Sequence, residues 1–303
     1  MPKSQQTAKD KYLYDPTSLF SYGVLPTNPY ALAKWESRDD LRAFTKNKAQ
    51  VACGAATYGT LKWVTQNGYT FLSGVAKCKS SNSCPNCTTR KMAERRTELR
   101  IKGIQTVDAG GTEVYGTLTI SPTNARNLSE CYSELLEAGM RFRRSIKAIE
   151  KKLGITHSSR ILEETYSEKA YWHPHFNYVW HVPGHLQEHE QAWFANELVT
   201  RWVKVCREIG AVKTAAHTQT IEYVTDAEEV EARAEYVTKH AYYPSVPSVK
   251  LSGKYEGLEP FEVLELARLG ETKWIEVWNE FELASKRKHR VVHYRPKSIK
   301  NAV

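Results

Sequence analysis

His173 and His175 stand one residue apart in the run Tyr171-Trp172-His173-Pro174-His175-Phe176-Asn177-Tyr178-Val179-Trp180. Aromatic and β-branched residues dominate it, so it reads as a strand. Side chains alternate between the faces of a strand, so His173, His175 and Asn177 share one face. Pro174, Phe176, Tyr178 and Trp180 turn the other way, toward a core. Two imidazoles side by side make half of a divalent-metal site. Residues 160–166 read as the partner strand, with 167–171 as the connecting loop. If Tyr166 pairs with Trp172, Glu163 falls opposite His175 and Thr165 opposite His173. Glu163 is then the third ligand; a slip of one residue would put Glu164 there instead. The competing reading is a pair of structural histidines. A carboxylate within reach on the partner strand favours metal over it.

A second group is cysteine-based: Cys53, Cys78 and the bite Cys84-Pro85-Asn86-Cys87. Two thiolates on a tight knuckle reach one tetrahedral zinc, and Cys53 and Cys78 complete a set of four. The alternatives are a redox pair or buried thiols. A thioredoxin-like motif needs a βαβ context. Here the following helix, residues 89–102, carries Arg90, Lys91, Arg95, Arg96 and Arg100. Zinc beside a basic helix suits nucleic acid better than redox chemistry.

These groups need elements to position them. Residues 113–121 alternate and read as a strand ended by Pro122. Asn127 to Glu130 has capping-box form and opens a helix with the stripe Cys131, Leu135, Phe142, Ile146, Ile149 and Leu153, ended by Gly154. Residues 188–209 read as a helix with Trp193, Val199, Trp202, Cys206 and Ile209 inward. Residues 215–224 read as a strand. Asp226 to Glu229 opens another helix, through Tyr236 to His240, with Val230, Ala234, Val237 and Ala241 buried. Tyr236 and Lys239 sit together on the flank of that stripe. On their own they read as packing and a solvated charge. Trp274, Trp278 and Phe281 make a helical stripe near the end, followed by a basic run over 286–290. The fold class expected is α+β: an antiparallel sheet flanked by helices, with a cysteine-rich module before it and a small helical extension after it.

The chain has 303 residues, with a net charge of +9 and 41% hydrophobic residues. That supports a sizeable core, and the basic balance, with pI ≈ 9.1, suits a polyanionic partner. Mean hydropathy is -0.55. No run of about 18 apolar residues stands out, so no transmembrane helix is expected. The polar start lacks a signal-type stretch, which points to a cytoplasmic protein with reduced cysteines.

The strand Tyr115 to Ile120, the His-Pro-His strand and the Tyr-x-x-Lys helix, in that order, resemble the rolling-circle replication initiators of small bacterial plasmids, in the HUH endonuclease superfamily. The trio covers residues 112–243. The Cys-Pro-Asn-Cys region and the stretch from Glu259-Pro260-Phe261 to Trp278 look like the flanks of the same proteins. The resemblance implies a division into an extension (1–48), a zinc region (49–105), a nuclease domain (106–246) and a helical, basic extension (247–303). It implies Mg²⁺ or Mn²⁺ on His173, His175 and Glu163, Tyr236 as nucleophile, and Lys239 as its helper. It implies nicking of one DNA strand at a replication origin through a 5′-phosphotyrosine link, with a host helicase and polymerase as partners. There are departures. Asn177 stands where many relatives have a third histidine, and Ala232 where some have a glutamate one turn before the nucleophile. Rival readings are a non-catalytic zinc-containing DNA-binding protein, a hydrolase of small phosphoesters, and a related transposase or relaxase.

Overall fold

The computed structural model describes residues 41, 45–54, 61–66, 69–121, 127–238 and 257–295. The chain divides into two compact units, 1–94 with 238–286 and 95–237 with 287–303. The first holds helix α1 (Lys48–Val51), strands β1 (Lys62–Gln66) and β2 (Tyr69–Ser73), the start of helix α2 (Pro85–Asp108), and helices α7 (Pro260–Arg268) and α8 (Thr272–Ala284). β1 and β2 form an antiparallel pair. Glu259 caps α7 reciprocally with Glu262, and Pro260 opens it, where a missing N–H costs nothing. The expected Trp274, Trp278 and Phe281 stripe is buried, with Phe261 against Trp278 at 6.0 Å between ring centroids. Asn82 Nδ2 donates to Ser285 O at 2.7 Å and Lys46 N to Glu282 Oε2 at 3.1 Å, tying the early segment to α8.

The second unit is an α+β layer structure around a five-stranded antiparallel sheet. Its strands are β3 (Thr112–Thr119), β4 (His157–Ser167), β5 (Tyr171–Val182), β6 (Thr220–Val224) and β7 (Val291–Tyr294), in the order β6-β3-β5-β4-β7. The β4–β5 register is the one the sequence implies: Tyr166 opposite Trp172, Thr165 opposite His173, Glu163 opposite His175. One face buries Trp172, Pro174, Phe176, Tyr178 and Trp180. Helices α3 (Leu128–Ser145) and α5 (Glu188–Glu208) supply its partners, with Phe142 edge-on to Tyr178 at 5.5 Å and Phe194 to Trp180 at 6.0 Å. On the opposite face, Leu99 and Val107 of α2 and Val230, Ala234 and Val237 of α6 (Ala227–Val237) pack with Tyr115, Ile161, Val179 and Val224.

Pro174 sits in a central strand, where a residue without an N–H is normally excluded. The β3 pairing ends at His175, so among the described residues β5 is paired from Pro174 outward with β4 alone. The proline is tolerated where the strand becomes an edge.

Several expectations shift. The strand foreseen over 215–224 begins at Thr220, because Ala216–Thr218 forms a 3₁₀ turn. The helix after Asn127 breaks at Ile146 and restarts as α4 (Lys147–Lys152) before Gly154, whose φ of 65° is left-handed. Tyr132, not Cys131, is its fully buried residue there, because the Tyr132 hydroxyl donates to Glu164 Oε1 at 2.7 Å. In α5 the buried frame runs through Phe194 and Leu198 rather than Trp193 and Val199. Trp193 lies at the boundary, with Lys152 Nζ 4.0 Å over its ring. The basic run at 286–290 reads as a tail, yet Arg290 is buried against Glu164 at 2.9 Å and leads into β7, which pairs with β4.

Candidate metal centre and histidine face

Helix α2 begins immediately after Cys84. Pro85 sets its first turn and Thr88 N donates to Cys84 O at 2.8 Å. Cys87 therefore lies in the first turn, where the helix dipole favours thiolate. Cys53 and Cys78 come from the loops before it. Lys79 takes a left-handed φ of 59° and Ser80 N donates to Cys78 Sγ at 3.4 Å, closing a tight knuckle. The sulfurs lie 3.5 Å apart for Cys53–Cys84, 3.7 Å for Cys53–Cys87 and 3.6 Å for Cys78–Cys87. A tetrahedral zinc with Zn–S bonds of about 2.3 Å has sulfur–sulfur edges of about 3.8 Å. None of the four cysteines is in a disulfide, and their sulfurs lie within 4.8 Å of one another. The mutual hydrogen bonds split the thiols. That with Cys78 chiefly holds Cys53 well below the ordinary thiol range, and that with Cys53 chiefly pushes Cys84 up. The four residues singled out by spacing thus meet, and the cluster could hold a metal such as zinc.

The histidine face is arranged differently. His175 Nε2 lies 3.4 Å from Glu163 Oε2, and both side chains are largely buried. Asn177 Nδ2 donates to the same Glu163 oxygen at 2.7 Å, and Thr117 Oγ1 donates to Asn177 Oδ1 at 2.8 Å. This chain of contacts fixes the carboxylate toward His175. Glu164 turns to the other face, where Arg290 and Tyr132 hold it. His173, 5.8 Å from His175 between ring centroids, places Nε2 3.2 Å from Ile120 O and beside Thr119 Oγ1. Burial, then the neighbouring His175, pushes the His173 pKa down, against the pull of the Ile120 carbonyl. The ring is neutral near pH 7, the form that ligates metals.

Two imidazoles and a carboxylate suit a divalent ion chemically. His175 Nδ1 is buried without a hydrogen-bond partner, so the ring has one nitrogen left to satisfy. His175 and Glu163 converge, while His173 is engaged by Ile120. Among the described residues, the cysteines are the only set of three or more such ligand atoms within 4.8 Å of one another. His173 would have to leave Ile120 to complete a three-ligand site.

Tyr236 lies near the end of α6, which Asp226 caps by accepting from Glu229 N at 2.8 Å. The residue is 55% exposed. Lys239 lies outside the described residues. The basic residues of α2 are engaged with glutamates. Arg90 and Lys91 reach Glu94 at 3.5 and 3.1 Å, and Arg95 reaches Glu98. Arg96 and Arg100 reach α6, at Glu235 (3.1 Å) and Glu231 (3.1 Å) respectively. These last two fasten the helix that carries Tyr236.

Sequence reasoning placed Asn177 on the histidine face but missed its grip on Glu163. It also missed Thr117, Thr119 and Gln219, whose Oε1 accepts from Thr119 N at 2.7 Å. Alternation along β3 was the available signal for the two threonines. Among the described residues no helix is long and apolar enough to cross a membrane. No protein-family model, curated protein or solved structure matches the chain.

Proposed function

We propose that this chain is a metal-dependent single-strand DNA endonuclease and strand transferase of HUH type, acting as a rolling-circle replication initiator on plasmid DNA. The observation that carries the reading is the β4–β5 register, which sets Glu163 opposite His175 and next to the Thr165–His173 pair on an inner strand of an antiparallel sheet. The exposed Tyr236 on a helix of the same unit supports it.

In this reading His173, His175 and Glu163 hold Mg²⁺ or Mn²⁺, which when bound polarises the scissile phosphate and offsets its charge. Asn177 and Thr117 keep the Glu163 carboxylate turned toward His175. Tyr236 supplies the nucleophile. Its phenolic oxygen bonds to phosphorus, the bond from phosphorus to the 3′ oxygen breaks, and the phenolic proton ends on that oxygen. One phosphodiester replaces another, so the 5′-phosphotyrosine link keeps the bond energy needed for rejoining. A phenol titrates near 10, so a nearby cation such as Lys239 assists deprotonation. Zinc on Cys53, Cys78, Cys84 and Cys87 serves folding. Cations of α2, Arg90 and Lys91 foremost, contact the phosphate backbone. The partners are then origin DNA, a helicase and a polymerase, and the setting is the cytoplasm.

The second reading is a zinc-containing DNA-binding protein without catalysis. The hydrogen bond of His173 to Ile120 favours it, because a structural histidine needs such a partner. A nicking assay on pooled single-stranded oligonucleotides with Mg²⁺ or Mn²⁺ separates the two. The nuclease reading expects cleavage that EDTA, His173→Ala and His175→Ala each abolish. DNA binding with no cleavage in any metal would favour the second reading.

A further inference from the structure

The face that carries His173 and His175 continues along the sheet to its other end. There the paired positions hold a different group: Glu113 opposite His181, His157 opposite His181, and Ser159 opposite His293. Helix α2 crosses above them. A cavity of about 270 Å³ lies at this end, and its walls include Lys102, His157, Ser159, His181, His293 and Arg295. Among the described residues, the only carboxylate on the wall is Glu98. Its Oε2 is already engaged by Arg95 at 2.5 Å and His293 at 2.9 Å. Ser159 Oγ lies 2.8 Å from His293 Nδ1, which orients that ring.

Behind the wall, the His181 side chain is 5% exposed and lies 3.3 Å from Glu113 Oε1 through Nδ1. That nitrogen has no hydrogen-bond partner. Burial raises the Glu113 carboxyl to about 8, so near neutral pH it keeps its proton and can donate to His181 Nδ1. His181 then carries its own proton on Nε2 and presents a donor. Burial, then Lys102, holds His157 below its ordinary pKa, and Arg295 adds to this. The imidazoles therefore feel Lys102 and Arg295 as charges that the wall leaves without a counter-ion. Fixed cations, neutral imidazole donors and a serine around a small volume make a receptor for a compact, multiply oxygenated anion.

We propose that this cavity is a phosphate-binding site, taking either a free phosphoryl group or one phosphodiester of a nucleic-acid strand. It shares no residue with the His173 and Tyr236 site and stands whether or not the chain cleaves DNA.

The test follows the histidine ring signals of the full chain, labelled with ¹³C-histidine, by NMR. One arm adds inorganic phosphate and the other a short single-stranded oligothymidylate without terminal phosphates. The His157 and His293 signals should shift and saturate while those of His173 and His175 stay in place. Chloride at equal ionic strength should not reproduce the shift. Lys102→Gln and Arg295→Gln, both at positions outside the core, should each weaken binding at least tenfold. Saturation by phosphate alone assigns a free phosphoryl ligand. Saturation by the oligonucleotide, with or without phosphate, assigns a strand phosphodiester. No saturable shift in either arm, or unchanged affinity in both variants, overturns the proposal.

Discussion

Glu113→Gln should gain stability over the wild type as pH rises from about 4.5 to 8, and run parallel to it below that range. Glu113 is fully buried, and α2 comes so close at Gly103 that a Cβ there would sit 2.5 Å from its Oε2. Burial lifts the Glu113 carboxyl from 4.5 to about 8, opposed by the Tyr115 hydroxyl donating at 2.9 Å. Burial, then Lys102, lowers His181 from 6.5 to about 3. Folded, the pair is neutral. Unfolded between pH 4.5 and 6.5, it is a carboxylate and an imidazolium. Folding in that window moves a proton from one to the other, takes up none, and gives no pH slope. Above pH 6.5 only Glu113 must gain a proton on folding, so stability falls by about 1.4 kcal/mol per pH unit until about pH 8. Below pH 4.5 only His181 must lose one, and stability falls toward pH 3. Glutamine keeps the shape and the hydrogen bonds but has no proton to gain. The variant should therefore avoid a loss of about 2 kcal/mol by pH 8 and show the uncompensated His181 loss from pH 6.5 downward. Urea unfolding of both proteins at pH 5, 6.5 and 8, followed by tryptophan fluorescence, reads the difference free of every group they share. Parallel stability curves across that range would refute the reasoning.

Arg290→Met should cost about 3–5 kcal/mol at pH 7, because it strands Glu164 as a buried charge beside Tyr132; urea unfolding should show it, and adding Glu164→Gln should restore much of the loss. Gly139→Ala should cost about 1–3 kcal/mol in the same measurement, since a Cβ there would lie 2.6 Å from Phe176 Cε2 in the packed aromatic core. Elemental analysis should find about one zinc per chain. Stripping it with a strong chelator, or Cys84→Ser, should lower the unfolding temperature of the cysteine-bearing unit, and an unchanged melt would argue against a folding role.

Much of the sheet was legible because its signals are local. Alternation fixed which side of β5 is buried, and the loop between β4 and β5 narrowed the register to one that selects Glu163 or, by a one-residue slip, Glu164; the structure has Glu163 opposite His175. The cysteine set was legible because its bite and spacing match tetrahedral geometry. What escaped depended on distant partners. Tyr132 is buried in place of Cys131 because Glu164 waits for its hydroxyl. Trp193 yields the core to Phe194 because an indole can close the boundary under Lys152. Arg290 reads as part of a charged tail until β7 brings it to Glu164 from the far end of the chain. The basic face of α2 was visible as charge, but its pairing with Glu231 and Glu235 requires knowing that α6 lies beside it. The engagement of His173 with Ile120 arises where β3 ends, a boundary that periodicity does not locate.

Covalent trapping on Tyr236 tests the proposed strand-transfer chemistry most directly. Pooled single-stranded oligonucleotides labelled at the 3′ end are incubated with the protein and Mg²⁺ or Mn²⁺, then resolved under denaturing conditions. The phosphotyrosine link joins the protein to the downstream fragment, so label should migrate with the wild-type chain, and peptide mapping should place the nucleotide on Tyr236. Tyr236→Phe removes one hydroxyl from an exposed residue, should fold as the wild type does, and should carry no label. No labelled adduct in any divalent metal, or an adduct that persists in Tyr236→Phe, would contradict the assignment.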